Sequence, residues 1–285
     1  MKFNKIALTC ATMSLTLALS QNALGQTKPA NATDAQANAV IDQLIKSGKL
    51  DTAVDASVRR FFAAREAESM KSREAQMARM AEMATNARKV TPSRDHIFGN
   101  QKAEWSFIVY SDLECPFCKE HSGIPEAVAK SIGLDKINVV FRHFPLPMHG
   151  AMAKKLGVAS ECVAKQGGSE GFFKFVDTVL RTSALNGKGL PGGDPQLVAL
   201  AKDAGVKDEK QFDACMQDPQ SADAVKTDYE DGEKAGVSGT PGNILRNNKT
   251  GKSIAFHGYN RGGAVAVEAT VRQYMAGGSP APVGR

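Results

Sequence analysis

Two cysteines separated by two residues, Cys115-Pro116-Phe117-Cys118, carry the strongest chemical signal in this chain. Thiols at that spacing can close a small disulfide ring and reopen it. The motif follows the apolar run 105–110, which reads as a strand, and opens 119–132, which reads as a helix. A thiol at a strand-to-helix junction meets unpaired backbone N–H groups and the positive end of the helix, and both favour an anion. Such positions lower a cysteine pKa from about 8.5 to between roughly 3.5 and 7.5, so Cys115 is expected to be a thiolate at neutral pH. Two plainer uses compete, a structural disulfide and half of a zinc site. Zinc needs four ligands, and the chain has no second C-x-x-C. Redox chemistry is the favoured reading.

Other residues invite chemistry more weakly. His121 comes three residues after Cys118, so Cys115, Cys118 and His121 could share one helical turn, and two thiolates suit a soft ion such as Cu(I). A solvated helix histidine is the simpler account. His143, His149 and His257 show no readable spacing and read as structural or exposed. Met70, Met77, Met80 and Met83 recur loosely at helical spacing, where thioethers more often make adaptable packing surface than metal ligands. Gly187-Lys188-Gly189-Leu190-Pro191-Gly192 matches G-x-G-x-x-G, but it follows a helix and contains Pro191. It reads as a flexible loop and not as a dinucleotide site. No cofactor and no resident metal are expected.

These thiols need a scaffold, and 285 residues exceed one typical domain and can bury a real core. The start reads as a secretory signal over residues 1–25: basic Lys2 and Lys5, an apolar stretch 6–19, and a small-x-small site at Ala23-Leu24-Gly25. Cys10 lies inside it and should be lost with it, leaving four cysteines, an even number suited to an oxidising compartment. Loss of the two lysines lowers the net charge from +6 to +4. The basic residues are scattered among acids without interleaved aromatics, so nucleic acid is not an expected partner. The mature protein is expected in the periplasm.

Residues 26–92 read as a helical arm. Val40, Ile41, Leu44 and Ile45 form one turn-spaced stripe that stops at Ser47-Gly48. A second, longer helix runs from about 50 to 88, with Val54, Val58, Phe61 and Phe62 on its apolar face, and Thr91-Pro92-Ser93 breaks it. A helix that long and so narrowly apolar cannot stabilise itself, and self-association is the preferred reading. Residues 93–277 then alternate. Strands are expected at 105–110 and 137–144, a pair joined by a helix and therefore parallel with a right-handed crossover. A helical region at about 148–236 holds helices at 151–165, 171–182, 195–204, 209–216 and 221–235. Short strands at 242–245 and 253–257 flank the turn Asn247-Asn248-Lys249-Thr250-Gly251, a helix spans 264–275, and 278–285 is a tail.

The ordered set of C-x-x-C after a strand, Phe144-Pro145-Leu146 after the next, the helical insertion, and Val237-Ser238-Gly239-Thr240-Pro241 before the final hairpin resembles the thioredoxin superfamily, in its DsbA-like branch. The resemblance covers roughly residues 97–275. It implies a thioredoxin-like α/β fold with a helical insertion, here preceded by an α-helical N-terminal oligomerisation arm. It implies that Cys115 and Cys118 are the catalytic pair and that Pro241 is a cis-proline beside them. Thr240, Pro116 and Phe117 would then contact substrate. In this mechanism an exposed Cys115 is the sulfur that substrate thiolates attack. Insertions in the family can hold a disulfide, which implies a Cys162–Cys215 bridge. One departure stands out. Relatives often carry a buried carboxylate on the strand before the motif, and Phe107-Ile108-Val109-Tyr110 has none. Asp112 and Glu114 come later, in an expected loop; Glu114 would oppose ionisation of Cys115 and Lys119 would favour it, each weakly as a solvated group.

A helical extension on such a domain looks like the oligomeric members, the disulfide isomerases and the ScsC-like proteins associated with copper resistance. The expected activity is thiol–disulfide oxidoreduction on exported proteins with cysteines, by a homo-oligomer that a membrane or periplasmic redox partner recycles. Oxidase and isomerase remain close competitors. The rival from another class is a copper or zinc carrier using the same thiols and the methionines.

Overall fold

The computed structural model describes residues 34–256 and 262–278, so the signal reading, His257 and the tail after Gly278 lie outside the described residues. The chain divides into two compact units, Met1–Glu68 and Ser69–Arg285. In the first, helix α1 (Asp34–Lys46) is followed at Ser47-Gly48 by α2 (Lys49–Ala84), which continues into the second unit. Val54, Val58, Phe61 and Phe62 are exposed on α2.

The second unit is built on a five-stranded sheet. Strands β1 (His96–Phe98), β2 (Trp105–Ser111), β3 (Ile137–His143), β4 (Gly242–Asn247) and β5 (Ser253–Phe256) lie in the order β1-β3-β2-β4-β5. The central pair β2–β3 is parallel, from Trp105↔Ile137 to Ser111↔His143, while β4 runs antiparallel to β2 and β5 antiparallel to β4. Alternation along β2 decides the two cores. Phe107 and Val109 face a layer with Val128, Ile132, Val267 and Val271, from helices α4 (Ile124–Ile132) and α9 (Gly263–Met275). Ile108 and Tyr110 face the opposite layer with Val140, Phe144 and Ala235. β1, too short to announce itself by alternation, pairs antiparallel with the β3 edge.

The helix expected at 119–132 is two helices. α3 (Pro116–His121) ends at Ser122, and Gly123, in the left-handed region at φ 77°, turns the chain into α4 with Pro125 in its first turn. The insertion contains α5 (Gly150–Thr182), α6 (Gly193–Asp203), α7 (Glu209–Gln217) and α8 (Pro219–Lys234). α5 joins the two expected helices through a break at Gly168, whose φ of 60° and ψ of −163° no side-chain-bearing residue adopts easily. Cys162 on α5 and Cys215 on α7 form a disulfide with an S–S distance of 2.06 Å.

A buried ion network ties the segment after α2 to the sheet. Arg142, fully buried on β3, donates to Asp95 at 3.0 Å and Asp231 at 2.8 Å, and also to the Arg88 carbonyl and the Tyr110 hydroxyl. Arg88 and Arg94 both reach Asp228 on α8, at 2.7 and 2.8 Å. Burial opposes ionisation of Asp95, but the Arg142 and Arg88 guanidinium groups hold its carboxyl below the ordinary range.

Candidate active site

Strand β2 delivers the motif to one end of the sheet. Cys115 caps α3 in an extended conformation (φ −88°, ψ 124°), and Pro116 takes the first helical position, where a missing N–H costs nothing. Both thiols are free and buried, Cys115 at 3 % exposure and Cys118 at 2 %. The expectation of an exposed Cys115 therefore needs correction. The Thr240–Pro241 segment lies over it, with the Cys115 Sγ 3.6 Å from the Thr240 carbonyl oxygen, and the Thr240–Pro241 bond is cis. Pro241 is buried, while Phe117 beside the pair is 54 % exposed.

What separates the two sulfurs is electrostatics. The hydrogen bond from the Cys118 thiol is the largest influence on Cys115. Thr240 and the backbone N–H groups of Cys118 and Phe117 act with it against burial, and bring its pKa down to about 6. Burial, with the bond to Cys115, pushes Cys118 well above the usual thiol value. One thiol is poised to ionise at neutral pH and the other to keep its proton.

The loop between β2 and α3 overturns a second expectation. Glu114 is not solvated but 0 % exposed, and Asp112 beside it is 1 % exposed. The Asp112 carboxylate accepts from the N–H groups of Glu114 at 2.8 Å and Leu146 at 2.7 Å, and lies 2.7 Å from His149 Nδ1. Its own N–H points at Cys118 Sγ, 3.5 Å away, and its carbonyl accepts from the Cys115 N–H. Glu114 accepts from the Ser183 hydroxyl at 2.5 Å and the Gly189 N–H at 3.0 Å, and its carbonyl accepts from the Asn186 N–H. The glycine-containing loop read as flexible is thus anchored against the redox motif. Sequence reasoning missed these roles because His149, Ser183 and Gly189 are brought to the motif from 37, 69 and 75 residues away.

His121, expected in solvent, is 2 % exposed, with Nε2 at 3.2 Å from Asn243 Oδ1 on β4. Burial pushes its pKa down to about 4. The Asn243 contact opposes that shift. His143 and His149 are buried in contacts with Glu161 and Asp112. Cys115, Cys118 and His121 do not gather as a ligand set. Among the described residues the group whose donor atoms lie within 4.8 Å of one another is His143, Glu161 and Asp228. There Asp228 already carries Arg88 and Arg94, and Glu161 pairs with His96 and His143. Met83 packs at Gly236 and lines a pocket with Phe144, Leu146, Val237 and Ser238. Met70 and Met77 line a groove of about 800 Å³ with Trp105, Leu245, Ile254 and Tyr274, at the end of β2 opposite the thiols.

The family model described as Thioredoxin matches residues 89–261. Among solved structures, DsbA2 of Pseudomonas aeruginosa is 30 % identical with a TM-score of 0.53, over 64 % of this chain and 95 % of its own. BcfH of Salmonella enterica Typhimurium is 17 % identical with a TM-score of 0.62, over 84 % and 98 %. A linker-deletion variant of Proteus mirabilis ScsC is 15 % identical at 0.54, over 89 % and 100 %. These last two show the fold alone. Curated relatives are transporters matched in part. The Na(+)/H(+) antiporter NhaA 1 of Mycolicibacterium gilvum is 39 % identical over 80 residues, 28 % of this chain and 13 % of the antiporter. NhaA of Herminiimonas arsenicoxydans is 30 % identical over 152 residues, 53 % of this chain and 22 % of the antiporter. The chain thus spans between 13 % and 22 % of the length of these two relatives, and no helix among its described residues is long and apolar enough to cross a membrane. With its sheet order, its redox pair after β2 and the matched span, the chain belongs to the thioredoxin family as a DsbA-like member.

Proposed function

We propose that this protein is a periplasmic thiol–disulfide oxidoreductase that forms or reshuffles disulfides in exported proteins. The observation that carries the reading is the split between its two buried thiols, Cys115 down to about 6 and Cys118 up, within hydrogen-bond reach of one another. In the oxidised protein a substrate thiolate attacks the Cys115 sulfur, and Cys118 leaves as thiolate and takes a proton. A second substrate thiolate attacks the substrate sulfur of the mixed disulfide, and the electron pair departs on Cys115. A low-pKa thiolate is a good leaving group, which favours transfer of the disulfide to substrate. The reduced pair is returned by the disulfide of a redox partner in the membrane or periplasm. Starting from the reduced pair, Cys115 thiolate attacks a wrong substrate disulfide and Cys118 provides the escape, so the same residues serve isomerisation. Thr240, Pro116 and Phe117 form the surface that substrate meets beside Cys115.

The exposed apolar residues of α1 and α2 support a homo-oligomer, which would present two or more sites to one misfolded substrate. Light scattering tests this: a monomeric mature protein removes the arm's role and favours a simple oxidase. Redox titration against glutathione tests the activity itself. A potential toward about −120 mV marks an oxidase and one near about −270 mV a reductant. Absence of any equilibrium with glutathione would sink the reading. The copper or zinc carrier reading is not favoured, because Cys115, Cys118 and His121 do not form a ligand set.

A further inference from the structure

Helix α8 hands the chain to the cis-proline loop through a fixed exit. The Gly236 N–H bonds to the Glu233 carbonyl and the Val237 N–H to the Gly232 carbonyl at 2.8 Å, a paired closure with Gly236 in the left-handed region at φ 82°. Val237 then turns back on the first residue of β4, where a Cβ on Gly242 would lie 2.7 Å from Val237 Cγ1. Only Ser238 and Gly239 separate Val237 from Thr240, whose carbonyl oxygen lies 3.6 Å from the Cys115 sulfur.

The end of α2 and the turn after it hold this exit from outside. A Cβ on Gly236 would lie 2.9 Å from Met83 Cβ and 3.3 Å from Met83 Sδ, so the methionine fills the space that glycine leaves. Asn86 Nδ2 donates at 3.2 Å to the carbonyl of Lys234, the last residue of α8, which no N–H of that helix can reach. The Arg88 N–H donates to the Asp231 carboxylate at 2.7 Å. Ala84 and Ala87 are buried in the same layer as Ala235, and Val237 packs against it. All of these residues belong to the compact unit that holds the thiols.

We propose that Met83 and Asn86 are positioning residues for the redox site: the end of α2 braces residues 234–237, and through them holds the Thr240–Pro241 segment over Cys115. For its effect on substrate the inference rests on the thiol–disulfide reading of the site. A loop with few buried contacts opens locally, well below the free energy of global unfolding, unless its ends are fixed. Ser238 is exposed, and a Cβ on Gly239 would meet no atom within 4 Å, so the middle of the loop adds little hold of its own. Loosening the brace has two opposite consequences. Cys115, 3 % exposed beneath the segment, becomes easier for a small reagent to reach. The backbone that substrate meets loses its fixed place, and with it the orientation that brings a substrate sulfur to Cys115.

Variants of the reduced full-length mature protein test it. Met83→Ala and Asn86→Ala should each let iodoacetamide alkylate Cys115 about threefold faster at about pH 8, with Cys118 unchanged because the opening is local. The Gly236 and Val237 amides should exchange hydrogen faster in both, and Met83→Leu, which keeps the packing, should behave as wild type. With an extended peptide disulfide as substrate, KM should rise about threefold while kcat stays within about twofold. Unchanged Cys115 alkylation and amide exchange in both alanine variants overturn the proposal. Equal acceleration at Cys115 and Cys118 overturns it too, since that marks general loosening. A wild-type protein that never exchanges with the peptide sinks the oxidoreductase reading and the substrate effect with it, while alkylation and amide exchange still decide the brace.

Discussion

Cys115 owes its pKa of about 6 first to a hydrogen bond from its partner thiol, so the reactivity of one cysteine is a property of the other. Cys118→Ala should move the midpoint of Cys115 alkylation from about 6 toward the ordinary thiol value of about 8.5, while Cys118→Ser, which keeps a donor, should move it less. A midpoint that stays put would show that the backbone donors suffice alone. The sign of the pH dependence follows. A pKa lowered on folding contributes stability that is complete above the free-thiol value and lost as pH falls through about 6. The reduced protein should therefore gain on the oxidised one between about pH 6 and 8.5, a difference that urea unfolding at both ends can read. The capping position of Cys115 on α3 was legible in sequence because it depends on adjacent residues, whereas its burial under Thr240, 125 residues away, was not. Nor was the burial of Asp112, Glu114 and His121, since short polar side chains in a loop and a polar helix face look solvated until distant partners cover them.

At the scale of elements, the loop 183–189 and the β2–α3 loop stabilise each other through one carboxylate. Leu185 and Asn186 hold positive φ angles of 62° and 54° there, a conformation that non-glycine residues keep only where surroundings impose it. Ser183→Ala leaves Glu114 one donor short. It should cost about 1–3 kcal/mol in denaturant unfolding and raise the hydrogen exchange of the Asn186 and Gly189 amides. Unchanged exchange would mean that the loop holds without Glu114. The strands around the motif followed from apolar runs, and the helices of the insertion from helix-forming composition between Gly, Asp and Pro breaks. The break between α3 and α4 had a signal, Gly123 followed by Pro125, that a reading by composition passed over. β1 had none to give: three residues cannot show a period.

Across the whole second unit, the Arg142 network decides how the segment after α2 is fastened. Ala84 and Ala87 are buried in the same layer as Tyr110 and Phe144, and Arg88 shares its carbonyl with Arg142. The compact unit accordingly begins at Ser69, well before the first strand. Arg142→Met would leave Asp95 and Asp231 buried without their main counter-charge, and should destabilise by about 3–5 kcal/mol. A loss under about 1 kcal/mol would show that Arg88 alone neutralises them.

The Cys162–Cys215 crosslink places this chain among the clients of its own chemistry. The two positions are 53 residues apart, and closing a loop of that size is worth about 4 kcal/mol in the chain-entropy account. A newly made chain lacks that contribution until some oxidant supplies it, and the proposed activity of a finished copy is such an oxidant. Maturation should then be autocatalytic. Reduced chains left to oxidise slowly should cross-link along a sigmoidal time course, and a trace of finished, oxidised protein should abolish the lag. A Cys115→Ser preparation should keep the slow early rate throughout.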